Sequence, residues 1–173
     1  AHTIAANIWL FTAFFIDGYG AAGNLLSGRL LGAKDYPNLW LLTKRVIKYN
    51  LVVAVFLMII CAILYKPMGL LFSNDAAVLT VFYGVFFMVI VMQPINAIAF
   101  TLDSIFKGLG EMGWLRNTLL VATFLGFVPV LYISKYTGWG ILGIWCAFMV
   151  WMLFRAGMLI YFYKKKYYPL AIN

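Results

Sequence analysis

The sequence predicts an all-α integral membrane protein with five transmembrane helices, and three observations lead there. Apolar residues make up 65% of the 173 positions and charged residues 10%, with a mean hydropathy of +0.96. An average soluble domain is about half apolar and about a quarter charged, so this chain lacks the polar surface to cover a water-soluble core. Five runs with at most one charge each are long enough to cross a ~30 Å hydrocarbon core as helices rising ~1.5 Å per residue. Lipid admits only helices and closed barrels, and unbroken apolar runs of this length exclude barrel strands. Aromatic residues, 18% of the chain, gather at the ends of these runs, where rings anchor helices at the headgroup level.

The first span, 3–28, is broken only by Asp17, and Gly32 is expected to stop its helix. Asp35 followed by Pro37 signals the start of a short helix that carries Lys44, Arg45 and Lys48 along the surface into the second span, 49–65. Lys66 and Pro67 are expected to end that span. Ser73, Asn74 and Asp75 offer N-cap oxygens to the third span, 76–102, which is uncharged. The fourth span is 117–134. The fifth, 136–163, carries one charge, Arg155, which is expected to be structural and to snorkel towards the inner interface.

Charge then sets orientation. Ten Lys and Arg fall on one side of the spans and only Lys66 and Lys135 on the other, so the positive-inside rule places Ala1 outside and the Lys164–Lys166 tail in the cytoplasm. Five spans in that sense are expected to need earlier ones in the same polypeptide. The net charge of +8 is scattered between apolar runs and forms no continuous basic face, which argues against nucleic acid as a partner.

Enzymatic chemistry is not expected. The single histidine, His2, gives no base partner for a nucleophile, and Cys61 and Cys146 lie singly in apolar runs as packing residues, so no metal site is expected. Gly108-x-Gly110-x-x-Gly113 and Gly138-x-Gly140-x-x-Gly143 match the dinucleotide fingerprint by letter only. Neither follows a strand, and Glu111 stands where a phosphate would lie.

Polar groups inside the spans are the remaining candidates, because an ionisable side chain there costs ~2.5–3.5 kcal/mol and usually faces the bundle interior or water. Helical spacing puts Asp17, Gly20, Ala21, Asn24 and Gly28 on one small and polar stripe, which suits either a helix–helix seam or contact with an ion or substrate. Gln93, Asn96 and Asp103 share a side of the third span. Pro94 among them cannot donate to the Ile90 carbonyl and is expected to kink the helix. Asp103 lies near Lys107, and a structural ion pair between them is the favoured reading.

These residues carry a resemblance. Ala1-His2-Thr3-Ile4-Ala5-Ala6-Asn7 leading to Asp17-Gly18-Tyr19-Gly20-Ala21-Ala22 and Gly28-Arg29-x-x-Gly32-Ala33 resembles the eighth helix of MATE (multidrug and toxic compound extrusion) transporters, and the Asp-Gly pair resembles their DinF-like branch. Leu71-Phe72-Ser73-Asn74-Asp75 resembles the loop before the tenth helix. Gln93-Pro94-Ile95-Asn96-Ala97 through Asp103 and Lys107-Gly108-x-Gly110-Glu111 resembles that helix and its exit, and Gly138-Trp139-Gly140-Ile141-Leu142-Gly143-Ile144-Trp145 the start of the twelfth.

The resemblance implies that residues 1–173 form most of the second six-helix lobe, helices eight to twelve, of a twelve-helix antiporter in a bacterial cytoplasmic membrane. Such a protein exports small organic, often cationic, compounds in exchange for protons or sodium ions, with the gradient as energy source and no cofactor. Its implied partners are the bilayer, the substrates, and the first lobe and helix seven of the same polypeptide. Two departures matter: Asn24 and Asn96 stand where members of the DinF-like and NorM-like branches respectively carry acids, and an amide hydrogen-bonds but does not titrate. Asp17 is the remaining midspan acid. A flippase for lipids or lipid-linked oligosaccharides and a non-transporting membrane subunit are the alternatives. The first is expected to need several cavity Arg or Lys side chains, for which Arg155 is the candidate.

Overall fold

The computed structural model describes residues 2–172, and among these the secondary structure is helical throughout. α1 is His2–Gly32, α2 Tyr36–Ile63, α3 Tyr65–Phe72, α4 Ala76–Gly108, α5 Met112–Val121, α6 Val128–Thr137 and α7 Gly140–Ile172. A six-residue π-helical segment, Ala122–Phe127, joins α5 to α6, so that Met112–Thr137 runs as one rod. Five rods among the described residues are therefore long and apolar enough to cross a membrane, and the chain is a multi-pass membrane protein.

Each rod outruns its expected apolar span, because charged and polar turns at the interface continue the helix. α1 ends as expected at Gly32, but the chain reverses two residues later, where Lys34 takes the left-handed conformation (φ 56°) and Asp35 N–H donates to the Leu30 carbonyl. No separate surface helix precedes the second span. Asp35 caps the N-terminus of α2, its carboxylate accepting from Asn38 N–H at 3.2 Å, and Lys44, Arg45 and Lys48 lie on the same continuous helix as the apolar residues. α2 stops at Ile63, earlier than the Lys66–Pro67 break the sequence suggests. Pro67 instead sits in the first turn of α3, where its missing N–H costs nothing. Asp75 caps α4 by accepting from Ala77 N–H at 2.8 Å, as the sequence predicts. The turn after α6 falls at Gly138 (φ 71°), so the fifth rod begins at Gly140 rather than 136.

α4 is the central helix and packs on α1, α2, α3, α5 and α7. Towards its N-terminus Phe82, Phe86, Val89 and Met92 bury against Ile8, Trp145 and Met152; towards its C-terminus Leu102, Ile105 and Phe106 bury against Leu39, Leu159 and Tyr163. Lipid removes most of the hydrophobic drive between helices, so close approach and dispersion must hold them. The α1–α4 seam shows this. A Cβ on Gly20 would come within 2.7 Å of Ser104 Oγ, one on Gly28 within 3.0 Å of the Gly108 carbonyl, and one on Gly108 would collide with the Asn24 carbonyl. On the outside Phe14, Phe56 and Phe124 are exposed, apolar side chains for which lipid is the matching solvent.

α4 runs through Pro94 as one uninterrupted helix. At the other intramembrane proline, Pro129, the helix responds differently: no N–H is available for the Leu125 carbonyl, and the turn just before widens to π geometry.

Candidate ion and substrate site

Asp17 on α1, Asp103 and Lys107 on α4 and Arg155 on α7 line one cavity of about 250 Å³. The rest of its wall is apolar, with Leu10, Phe14 and Phe100 among it. Two carboxylates and two cations thus meet inside a membrane bundle, where such groups are costly unless paired or wetted. They are paired unevenly. Arg155 and Asp103, each only 8% exposed, form an ion pair. The guanidinium carbon lies 4.7 Å from the Trp151 ring centre and 5.8 Å from that of Phe100, and Trp151 is held by donating from its indole N–H to Thr123 Oγ1 at 3.2 Å.

This corrects two expectations. Asp103 pairs with Arg155, not with Lys107, and Arg155 turns inward rather than snorkelling to the interface. The reason is reach: Lys107, one turn below Asp103 on the same helix, leaves its side chain exposed, whereas α7 delivers Arg155 from the facing side into the apolar interior. A charge there needs its opposite more than a solvated one does. Asp17 is exposed at the cavity mouth, accepts from Ser104 Oγ at 3.4 Å and has no ion pair among the described residues.

The stripe read from α1 lies at the edge of its packed face. The buried line is Ile8, Thr12, Ile16, Gly20, Gly23 and Ser27, with Asn24 and Gly28 half-buried and Asp17 and Ala21 exposed. Asn24 meets α4 through its backbone carbonyl, which accepts from Ser27 Oγ at 2.9 Å. Gln93 and Asn96 are fully buried and lie outside the lining of the charged cavity. Gln93 Nε2 donates to Thr12 Oγ1 at 2.8 Å, while Gln93 Oε1 and both amide atoms of Asn96 lack a hydrogen-bond partner among the described residues.

Two participants were missed in the sequence. Asn50 on α2 is fully buried and donates to the Ile16 carbonyl at 3.0 Å and to Thr101 Oγ1 at 2.6 Å, tying α2 to both α1 and α4. It falls just inside a span otherwise without polar groups, which was the available signal. Thr101 gave none, since a lone Thr in a helix reads as neutral. Outside the spans, Glu111 forms an ion pair with Lys166 and accepts from Tyr167 Oη at 3.2 Å, so the first glycine motif serves a turn (Gly110, φ 71°) rather than a phosphate. Among the described residues no group of three His, Cys, Asp or Glu side chains is placed to hold a metal ion.

An apolar five-rod bundle with ionisable side chains gathered in an interior cavity defines a polytopic membrane protein. The chain matches the family model described as MatE over residues 1–133 and belongs to that family. Protein DETOXIFICATION 42 of Arabidopsis thaliana is 27% identical over 158 residues, covering 91% of this chain and 30% of that protein. Multidrug resistance protein NorM of Vibrio vulnificus is 26% identical over 164 residues, covering 92% of this chain and 36% of that protein. Protein DETOXIFICATION 45, chloroplastic, of Arabidopsis thaliana is 25% identical over 155 residues, 90% of this chain and 27% of that protein. The chain thus spans about a third of the length of the relatives it matches. No solved structure matches it at comparable significance.

Proposed function

We propose that the five helices are helices eight to twelve of a DinF-like secondary active antiporter that exports organic, often cationic, compounds in exchange for protons or sodium ions. The observation that carries this is the cavity. Of its two carboxylates, Asp103 is neutralised by Arg155, and Asp17 is left unpaired at the mouth, beside the aromatic wall of Phe14 and Phe100. An unpaired carboxylate next to aromatic rings suits a flat organic cation, and the same group can give up that cation to a proton or sodium ion. Family membership and the printed name of the NorM relative support the reading. The polarity of the lysines and arginines supports a cytoplasmic-membrane setting with the Lys164 end inside. A flippase is less well served, because Arg155, its candidate phosphate ligand, is committed to Asp103 and leaves Lys107 as the one cavity cation without an ion pair among the described residues.

The test uses the full-length polypeptide in proteoliposomes with an imposed proton or sodium gradient and a fluorescent aromatic cation as reporter. Gradient-driven movement of the reporter is expected, and Asp17→Asn is expected to remove the gradient-driven part at unchanged protein level. Transport that survives Asp17→Asn would overturn the role of this carboxylate.

A further inference from the structure

A second charged region lies on the outer face, between α2 and α7. Two hollows there share Lys44 and Ile47 as wall and so form one groove. The smaller and more enclosed part, about 100 Å³, is floored by Trp40, Thr43 and Tyr163 and rimmed by Lys44 and Lys164. The larger and more open part, about 480 Å³, is lined by α2 alone and runs past Lys48, Leu51 and Val55. All three lysines are exposed, and no carboxylate lines either part.

The floor is built rather than incidental. Thr43 and Tyr163 hydroxyls share a hydrogen bond of 2.6 Å, the Trp40 and Tyr163 rings stack at 5.5 Å with planes 6° apart, and Lys44 Nζ stands 5.2 Å from the Trp40 ring centre. Stacked Trp and Tyr are the side chains that fix depth at a membrane interface. Below them the wall turns apolar past Lys48, at Leu51, Val52 and Val55. Lys44 to Val55 is eleven residues of helix, about 16 Å at ~1.5 Å per residue, which is one leaflet of a ~30 Å core.

We propose that this groove binds one anionic phospholipid, with its phosphate among Lys44, Lys48 and Lys164 and an acyl chain along Ile47, Leu51 and Val55. Charge complementarity selects the occupant. Three cations at headgroup depth with no carboxylate beside them favour an anionic lipid over a zwitterionic one, and the apolar strip of Leu51, Val52 and Val55 below them matches an acyl chain, which a free phosphate lacks. The proposal is independent of what the protein transports.

The experiment places the full-length polypeptide in nanodiscs of phosphatidylcholine with and without phosphatidylglycerol, and reads retained lipid by native mass spectrometry and by competition with a spin-labelled phosphatidylglycerol. Phosphatidylglycerol is expected to be retained preferentially. Replacing Lys44, Lys48 and Lys164 by Gln together is expected to weaken it roughly a hundredfold, at about fivefold per lysine, and Lys135→Gln at the opposite membrane face to leave it unchanged. Val52→Trp, which fills the larger hollow with the lysines intact, is expected to displace the labelled chain, so the proposal can be read even if the triple variant misfolds. Equal retention of the two lipids, displacement by inorganic phosphate alone, or a cysteine cross-link at Val52 to another part of the polypeptide or a second copy would each overturn it.

Discussion

The Asp103–Arg155 pair is the interaction whose removal tests the bundle most directly. Both groups are 8% exposed, so deleting one leaves an uncompensated charge in a low-dielectric interior, at a typical cost of about 3–5 kcal/mol. The surroundings set where in that range each variant falls. In Arg155→Met, Asp103 retains Lys107, which lines the same cavity one turn away, so the cost is expected near 3 kcal/mol. In Asp103→Leu, Arg155 keeps the Trp151 and Phe100 rings but its one remaining carboxylate in the cavity is Asp17 at the mouth, and a cost of about 4 kcal/mol is expected. The double variant removes both charges and puts apolar groups in their place, and is expected within about 1 kcal/mol of the parent. Unfolding by sodium dodecyl sulfate titration in mixed micelles measures all three, the single variants shifting the equilibrium by about two to three decades at 1.4 kcal/mol per decade. Single losses below about 1 kcal/mol, or a double variant equal to the sum of the singles, would refute the claim that these two charges exist for each other.

Two further outcomes follow from packing. Gly108→Ala is expected to cost at least about 3 kcal/mol, because its Cβ meets the backbone of α1 at Asn24 rather than a side chain that can move, while Gly113→Ala, with open space around it, stays within about 0.5 kcal/mol; the same titration reads both. Asn96→Leu is expected to stabilise by about 1 kcal/mol, since both amide atoms are buried without a partner among the described residues, and a loss of that size would show that the amide is satisfied by something else.

The five rods were legible because a membrane turns span into a question of length and charge, and the Asp75 cap was legible because its partner is two residues away. Boundaries were less so: the helix whose uncharged run ends at Leu102 continues to Gly108, and hydropathy follows side-chain chemistry, not where the backbone stops. Asp17 and Asp103 could be singled out as intramembrane acids. The identity of their neighbours could not. Asp103 and Arg155 are 52 residues apart on helices whose relative rotation is set by packing, and no periodicity within one helix states which face of another it meets. Lys107, near in sequence, was the natural partner to name and the wrong one.

The seam between α1 and α4 explains why the cavity can hold an unpaired carboxylate at all. Gly20, Gly28 and Gly108 bring the two backbones so close that a methyl group at any of them would press on the other helix, which leaves Asp17, one residue round from the buried line of Ile16 and Gly20, no room to turn into the packed face. Its hydrogen bond across the seam, among the described residues, is the 3.4 Å one from Ser104, a group that can donate to a carboxylate but cannot neutralise it. Arg155 is beyond its claim, being held by Asp103 and cradled by Trp151. The same close packing that stabilises the bundle therefore keeps one negative charge facing the cavity, and it does so through residues that carry no charge themselves.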